Sequence, residues 1–174
     1  MRHGLPDTRD DCCRFHTIRC IGYGTYSGCR ARGWYPERTL SMLGYGPITG
    51  IDLSEGMLDI ARDKGIYAEL HQMTLGEQLD FSDDTFAAVL SSGTITPRHA
   101  PAHSFDELIR VARPGAPIVF SLRDDPAQEP TYPDALSRLT ASGAWRETFV
   151  TESFKSMPYG EPEISHRVHV YEVS

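Results

Sequence analysis

The sequence is poor in three features, and each absence argues against a class of protein. None of its apolar runs approaches the roughly 20 residues of a membrane-spanning helix, so we expect no integral membrane protein. The opening letters, MRHGLPDTRDDCC, contain no apolar core of a secretory signal. Basic residues are outnumbered 17 to 24 by acidic ones, for a net charge of −7, which is the wrong sign for binding a phosphate backbone. We therefore expect a cytoplasmic protein with neither nucleic-acid nor membrane partners.

Cysteine is confined to the opening of the chain. The four cysteines are Cys12, Cys13, Cys20 and Cys29. A zinc site needs paired thiolates or imidazoles at loop spacings such as C-x2-C, which these positions do not offer. Disulfides are disfavoured because the sequence has no secretory signal. We interpret the cysteines as incidental thiols and predict no metal site.

The balance of basic and acidic residues changes near residue 40. Residues 1–40 carry seven arginines and no lysine against four acids, whereas residues 41–174 carry ten basic and twenty acidic side chains. The 174 residues, 40% hydrophobic and 24% charged, have the size and balance of one globular domain. We predict that this domain spans residues 41–174. Residues 1–40 form an atypical N-terminal segment that is either disordered or read in a shifted frame.

From Gly44 onward, short apolar runs alternate with amphipathic stretches. Four runs are predicted as strands: Pro47–Asp52, Ile66–His71, Phe86–Ser91 and Pro117–Leu122. Apolar residues at helical spacing predict a helix from Ser54 to Gly65 and another over Tyr132–Leu139. Between them, Ser104-Phe-Asp-Glu107 has the pattern of a capping box and predicts the start of a further helix.

The order of these elements predicts a fold class. Trp145–Ser153 and Ile164–Val173 alternate apolar and polar residues, as an antiparallel pair at a sheet edge does. Strands alternating with helices before this pair predict an α/β fold with a doubly wound, mostly parallel sheet and an antiparallel C-terminal hairpin. Because ligands bind at the carboxyl ends of parallel strands, the residues of interest are Asp52, Gln72–Leu75 and Ser91–Thr96.

Three phrases carry a family resemblance: GYGPITGIDLSEGMLDIARDKGIY, LDFSDDTFAAVLSSGT and SFDELIRVARPGAPIVFSLRDD. In this order they resemble the class I S-adenosylmethionine-dependent methyltransferases, in particular the small type 11, quinone-biosynthesis-like and Williams–Beuren-region-like members. The closing EISHRVHVYEV is similar to the last strand of that family. The resemblance covers about residues 40–174. It implies a Rossmann-like fold, S-adenosylmethionine as cofactor and a small-molecule methyl acceptor.

The resemblance also implies roles for the residues that follow the strands. The acid at the end of the second strand, here Asp52, accepts hydrogen bonds from both ribose hydroxyls, as suits an acceptor-only carboxylate facing a vicinal diol. The alternative is that Asp52 only begins a turn. Leu53 and Met57 flank the adenine, or else pack the following helix. Thr74 takes the place of an acid that accepts from the adenine amino group, and the Leu75 amide faces adenine N1.

The acceptor side of the site is less well defined. Ser91 and Ser92 follow the fourth strand of the family's sheet, close to where the methyl group is transferred. His99 and His103 lie beyond them in a loop, and an imidazole is a natural general base near neutral pH. A loop histidine is more often only solvated, and many methyl transfers need little beyond proximity. The two histidines are therefore candidates, and no catalytic residue is assigned.

The first motif of the family is matched poorly. An acid followed by Gly-x-Gly-x-Gly lets the backbone pass close to the methionine part of the cofactor, and its counterpart here is Cys20-Ile-Gly22-Tyr-Gly24-Thr-Tyr26. The distance from this segment to Asp52 exceeds the usual spacing of about 20 residues. If suitable codons encode Ala31–Tyr35, the same DNA read two nucleotides later encodes Thr-Gly-Leu-Val, which is similar to the missing motif. The first strand is thus left open.

Three functions can be compared on these grounds. We predict an S-adenosylmethionine-dependent methyltransferase that acts on a small molecule. The alternative is a non-catalytic methyltransferase-like remnant with an impaired cofactor site, which the poor glycine motif favours. A nicotinamide-dependent enzyme needs G-x-G-x-x-G directly after its first strand with an acid about 20 residues on, and GYGTYSG fits neither requirement.

Overall fold

A computed structural model describes residues 18–23, 36–97, 99–125, 127–156 and 162–174. The helices and strands in these ranges are, in chain order, β1 (Ile18–Tyr23), α1 (Pro36–Met42), β2 (Ile48–Asp52), α2 (Glu55–Asp63), β3 (Glu69–Gln72), β4 (Ala88–Ser92), α3 (Ser104–Val111), β5 (Pro117–Arg123), α4 (Thr131–Ala141), β6 (Trp145–Val150) and β7 (His166–Val173). Within the described ranges, none of these helices is both long enough and apolar enough to cross a bilayer.

The strands form one sheet in the order β3-β2-β1-β4-β5-β7-β6. Strands β1 to β5 pair in parallel, and β7 pairs antiparallel with both β5 and β6. The chain builds outward from β1 through β2 and β3, then returns to β4 on the other side of β1. The predicted doubly wound sheet with an antiparallel C-terminal pair is confirmed.

Strand β1 occupies the centre of the sheet, which the sequence left open. Its Ile18 is in register with Ile48 of β2 and with Ala88 of β4, so two parallel neighbours pair with it. The predicted domain boundary near residue 40 stays a prediction, and α1 runs across it. The other residues singled out before residue 36 lie outside the described ranges: Cys12, Cys13, Gly24, Tyr26, Cys29 and Ala31–Tyr35.

The predicted capping box before α3 is wrong. His103 takes the N-cap position of α3, and its side chain makes no capping hydrogen bond to this end of the helix. The Glu107 carboxylate is instead engaged elsewhere, because it accepts the Leu79 N–H at 2.7 Å and pairs with Arg110 one turn along the helix. A charged partner and a long-range amide together satisfy this carboxylate better than the N-cap amide alone.

The core lies between α3, α4 and the sheet. Helix α3 turns Phe105, Leu108 and Val111 inward, and each is completely buried. The Phe105 ring lies 4.9 Å from that of Phe120 on β5 and 5.4 Å from that of Trp145 on β6. Burying such aromatic area contributes several kcal/mol per side chain, which explains why the antiparallel edge is held firmly against the parallel half.

Candidate functional site

The site is located by the point where the strand order reverses, between β1 and β4. Ligands of open α/β sheets bind outside the carboxyl ends of the strands at this point. Asp52 ends β2 on one side of β1, and Ser92 ends β4 on the other side, in register with Tyr23. Gln72, in register with Asp52, ends β3. The fold therefore brings the residues after β2, β3 and β4 to one edge, as predicted.

Asp52 has one satisfied and one unsatisfied carboxylate oxygen. Its Oδ1 accepts the Ser54 N–H at 2.7 Å, which turns the chain into α2 without any bond from the Ser54 hydroxyl. Its Oδ2 is buried and has no hydrogen-bond partner within the described part of the chain. Burial raises the pKa of Asp52, while the Ser54 amide and the nearby charge of His99 oppose this rise. A hydroxyl donor would satisfy the open oxygen.

An apolar surface lies next to this carboxylate. Leu53 is 64% exposed although it is a large hydrophobic side chain, and Met57 on the first turn of α2 is half-buried. The Leu53 carbonyl accepts a hydrogen bond of 2.9 Å from Gln72 Nε2, which fixes the chain after β2 against the end of β3. An exposed apolar side chain beside an open acceptor suits a ligand with a planar ring and neighbouring hydroxyls.

The segment after β3 is a tight turn packed against the start of α3. The Glu77 N–H donates to the Thr74 carbonyl at 3.2 Å, and the Leu75 side chain is only 6% exposed. Gly76 has φ +112°, and a Cβ at this position would lie 2.8 Å from two ring carbons of Pro101. Only glycine tolerates both this backbone conformation and this close approach.

The two serines after β4 occupy different environments. Ser91 is only 1% exposed, and its hydroxyl has no hydrogen-bond partner among the residues that the structure describes. Ser92 is exposed at the strand end. The adjoining Gly93 N–H donates to Ser121 Oγ of β5 at 2.8 Å, which holds this turn to the sheet. Of the pair, Ser92 is therefore the one that is accessible at the end of the strand.

The two candidate histidines point to different parts of the site. His99 is exposed, its Nδ1 is joined to Thr96 Oγ1 by a hydrogen bond of 2.9 Å, and its charge acts on Asp52. His103 instead donates from Nε2 to the Gly76 carbonyl at 3.0 Å. Within the described residues, His99 is thus bonded to a side chain of its own loop, whereas His103 is bonded to the backbone of the turn after β3.

Sequence reasoning missed one polar side chain that holds the site together, namely Ser121 of β5. Its Oγ accepts the Gly93 N–H across 28 residues of sequence, so no local pattern marks it. Gln72 and Thr96 lie in stretches that the strand ends singled out, but their partners, the Leu53 carbonyl and His99 Nδ1, were not predicted.

Proteins of known sequence are similar to this chain. A human protein named methyltransferase-like protein 27 is 33% identical over 107 residues, which is 59% of this chain and 43% of that protein. A phosphatidylethanolamine N-methyltransferase of Cereibacter sphaeroides is 32% identical over 119 residues, 64% of this chain and 58% of that protein. The chain thus spans about half the length of these relatives.

Solved structures share the fold. A [4+2]-cyclase, SpnF, has a TM-score of 0.65 at 14% identity and covers 90% of this chain, with 74% of its own length matched. An S-adenosylmethionine-dependent methyltransferase of Methanosarcina mazei has a TM-score of 0.64 at 15% identity, over 90% of this chain and 92% of its own. At such identities the likeness concerns the fold, and a cyclase among these structures underlines that fold and reaction are separate.

The fold defines a Rossmann-like α/β protein with a candidate ligand site at the switch point of its sheet. A family model described as a methyltransferase domain matches residues 28–115, half of the chain. The chain belongs to this methyltransferase-domain family.

Proposed function

We propose that this chain carries the catalytic domain of an S-adenosylmethionine-dependent methyltransferase that acts on a small-molecule acceptor. The observation that carries the proposal is the buried, unpartnered Oδ2 of Asp52 at the end of β2. An unsatisfied buried acceptor costs free energy in the ligand-free protein, and a donor supplied by a ligand recovers it. The family membership of the chain supports the choice of ligand.

The residues around Asp52 fit the nucleoside part of that cofactor. We assign the two ribose hydroxyls to Asp52 and the faces of the adenine to Leu53 and Met57. The turn after β3 then contacts the edge of the adenine through the Thr74 hydroxyl and the Leu75 amide. The bound cofactor supplies an electrophilic methyl group on a sulfonium, and the protein's task is to hold this group in line with the acceptor.

The acceptor is assigned to the side of the site bounded by the turn after β4. Ser92 is exposed there, and Ser91 lies below it. Because His99 is exposed and follows this turn along the chain, it is the candidate general base for an acidic O–H or N–H nucleophile. The net charge of −7 supports a small molecule over a nucleic acid.

The alternative of a non-catalytic remnant is not favoured. It rested on the poor glycine motif and a doubtful first strand, and β1 is paired on both sides in the middle of the sheet. The site edge formed by β2 and β4 is therefore kept in place by the backbone pairing that a parallel sheet needs.

Calorimetric titration with S-adenosylhomocysteine tests the proposal. Asp52→Asn keeps the size of the side chain and an acceptor for Ser54, but it replaces the open acceptor with an amide donor. We expect binding to weaken about 10- to 100-fold, since hydrogen bonds to a charged group contribute about 1.5–3 kcal/mol. Asp63→Asn is the matched control, because Asp63 is an exposed carboxylate at the end of α2. This variant should bind S-adenosylhomocysteine as the wild type does.

Two results would contradict the proposal in different ways. A folded wild-type chain that binds no S-adenosylhomocysteine would overturn the assignment of the cofactor. Equal affinity of the wild type and Asp52→Asn would leave the cofactor in place and overturn the role of Asp52.

A further inference from the structure

We propose that His103 is a positioning residue, which fixes the turn Thr74–Glu77 and so sets the affinity for the adenine part of the ligand. The inference rests on the proposed function, because that turn is assigned to the adenine. It also separates His103 from His99, with which the sequence grouped it as a candidate base.

The contact between the turn and His103 is direct. His103 Nε2 donates to the Gly76 carbonyl at 3.0 Å, across 27 residues of sequence. Beside this bond, the Cα of Gly76 is pressed so closely against Pro101 that no Cβ fits between them. One directional bond and one steric contact therefore define where the middle of the turn lies relative to the start of α3.

The side that holds the turn is itself anchored in the core. His103 stands at the N-cap position of α3, directly before Ser104 and Phe105, both of which are completely buried. The Ala100 carbonyl accepts a hydrogen bond of 3.0 Å from the hydroxyl of Tyr132, which is 1% exposed on α4. His103 thus projects from a fixed base formed by two packed helices.

The turn has fewer constraints of its own. Its described internal bond is the donation from Glu77 N–H to the Thr74 carbonyl at 3.2 Å. Leu75 enters the core, whereas Thr74 and Gly76 are half-buried. Local stability is low where backbone hydrogen bonds are few and partly exposed. An outside donor to the Gly76 carbonyl is therefore well placed to order the residues that face the adenine.

The protonation state of His103 distinguishes positioning from catalysis. A general base must be neutral, so its protonation abolishes its action. Donation from Nε2 to a carbonyl needs only the N–H, which the imidazolium and one neutral tautomer both carry. The bond to the Gly76 carbonyl therefore does not require a neutral ring, whereas a general base does.

The test compares His103→Leu with His103→Gln. The Gln amide nitrogen reaches about as far as Nε2 and keeps a donor, whereas Leu removes it. We expect His103→Leu to weaken S-adenosylhomocysteine binding about 3- to 10-fold, the usual effect of one lost hydrogen bond, and His103→Gln to stay within about twofold of the wild type. Hydrogen exchange of residues 74–77 without ligand should be faster in His103→Leu than in the other two proteins.

Each outcome decides the inference. Equal affinity and equal exchange in all three proteins would overturn it, and so would a His103→Gln variant that is as impaired as His103→Leu. If the wild type binds no S-adenosylhomocysteine, the proposed function and the adenine assignment both fail. Hydrogen exchange of residues 74–77 then tests only whether His103 orders the turn.

Discussion

At the residue scale, the carboxylate of Asp52 works against the stability of the ligand-free protein. Its Oδ2 is buried without a donor in the described structure, and burial raises the pKa of the group. A partly desolvated carboxylate with one unbonded oxygen is tolerated where a ligand supplies the missing hydrogen bond. The open acceptor that suits binding is thus the same feature that costs folding free energy.

Asp52→Asn should therefore stabilise the ligand-free chain at pH 7. Because the pKa of Asp52 is higher in the folded state, stability falls as pH rises through that pKa, and the loss persists at neutral pH. The neutral amide removes it, so we expect the thermal midpoint to rise by up to about 3 °C, since 1 kcal/mol shifts a domain of this size by about 2–4 °C. Thermal melts at pH 7 and near pH 4 measure this, and the difference should narrow at the lower pH.

At the element scale, the segment between β5 and α4 is held by paired charges. Arg123, at the end of β5, donates twice to the Asp125 carboxylate at 2.8 and 2.9 Å, and Asp125 also accepts the Ala127 N–H at 3.0 Å. Asp124 is paired with Arg167 of β7 at 2.8 Å. These bonds direct the chain away from the edge of the sheet where the site lies and into α4.

Asp125→Asn should destabilise the chain in a manner that depends on pH. The hydrogen bonds from Arg123 lower the pKa of Asp125 to about 2, so the stabilisation is present above the unfolded value of about 4 and is lost as pH falls from there towards about 2. We expect the free energy of unfolding to drop by about 1–2 kcal/mol at pH 7. Urea denaturation at pH 7 and pH 3 measures it.

The control for this experiment is Glu163→Gln, an exposed carboxylate in the segment before β7. Its free energy of unfolding should stay within about 0.5 kcal/mol of the wild type. A deficit of Asp125→Asn that is as large at pH 3 as at pH 7 would argue that packing, rather than the ion pair, is responsible.

At the scale of the whole molecule, aromatic rings join the two halves of the sheet. Phe120 of β5 lies between Phe105 of α3 and the antiparallel strands, with its ring 5.8 Å from that of Tyr171 and 6.1 Å from that of Trp145. Trp145 and Tyr171 are 4.3 Å apart across β6 and β7. The antiparallel pair shares the core of the parallel half, so we expect the described domain to unfold as one unit.

Phe105→Ala should lower the free energy of unfolding by about 3–5 kcal/mol, as for other large-to-small changes at completely buried aromatic residues. Phe149→Ala offers a matched control, because Phe149 is 59% exposed on β6, and it should change stability by no more than about 0.5 kcal/mol. Urea denaturation followed by tryptophan fluorescence and by circular dichroism measures both. Two separate transitions in the wild type would contradict a shared core.

Much of the fold could be predicted because periodicity is a local property. The apolar runs ending at Asp52, Ser91 and Leu122 coincide with β2, β4 and β5, give or take one or two residues. The alternating stretches after Trp145 coincide with β6 and β7. The first strand could not be predicted, because its sequence departs from the pattern of the family, and only pairing with β2 and β4 marks its place.

By itself, the sequence determined the order of strands and helices from β2 onward and the position of Asp52 at a strand end, since both depend on residues close together in the chain. Only the tertiary structure decided the direction of His103, the burial of Ser91 and the partner of Glu107. Each depends on groups at least 27 residues away in the chain, or on packing across the sheet. Such side-chain contacts form only when the folded sheet has brought the residues close together.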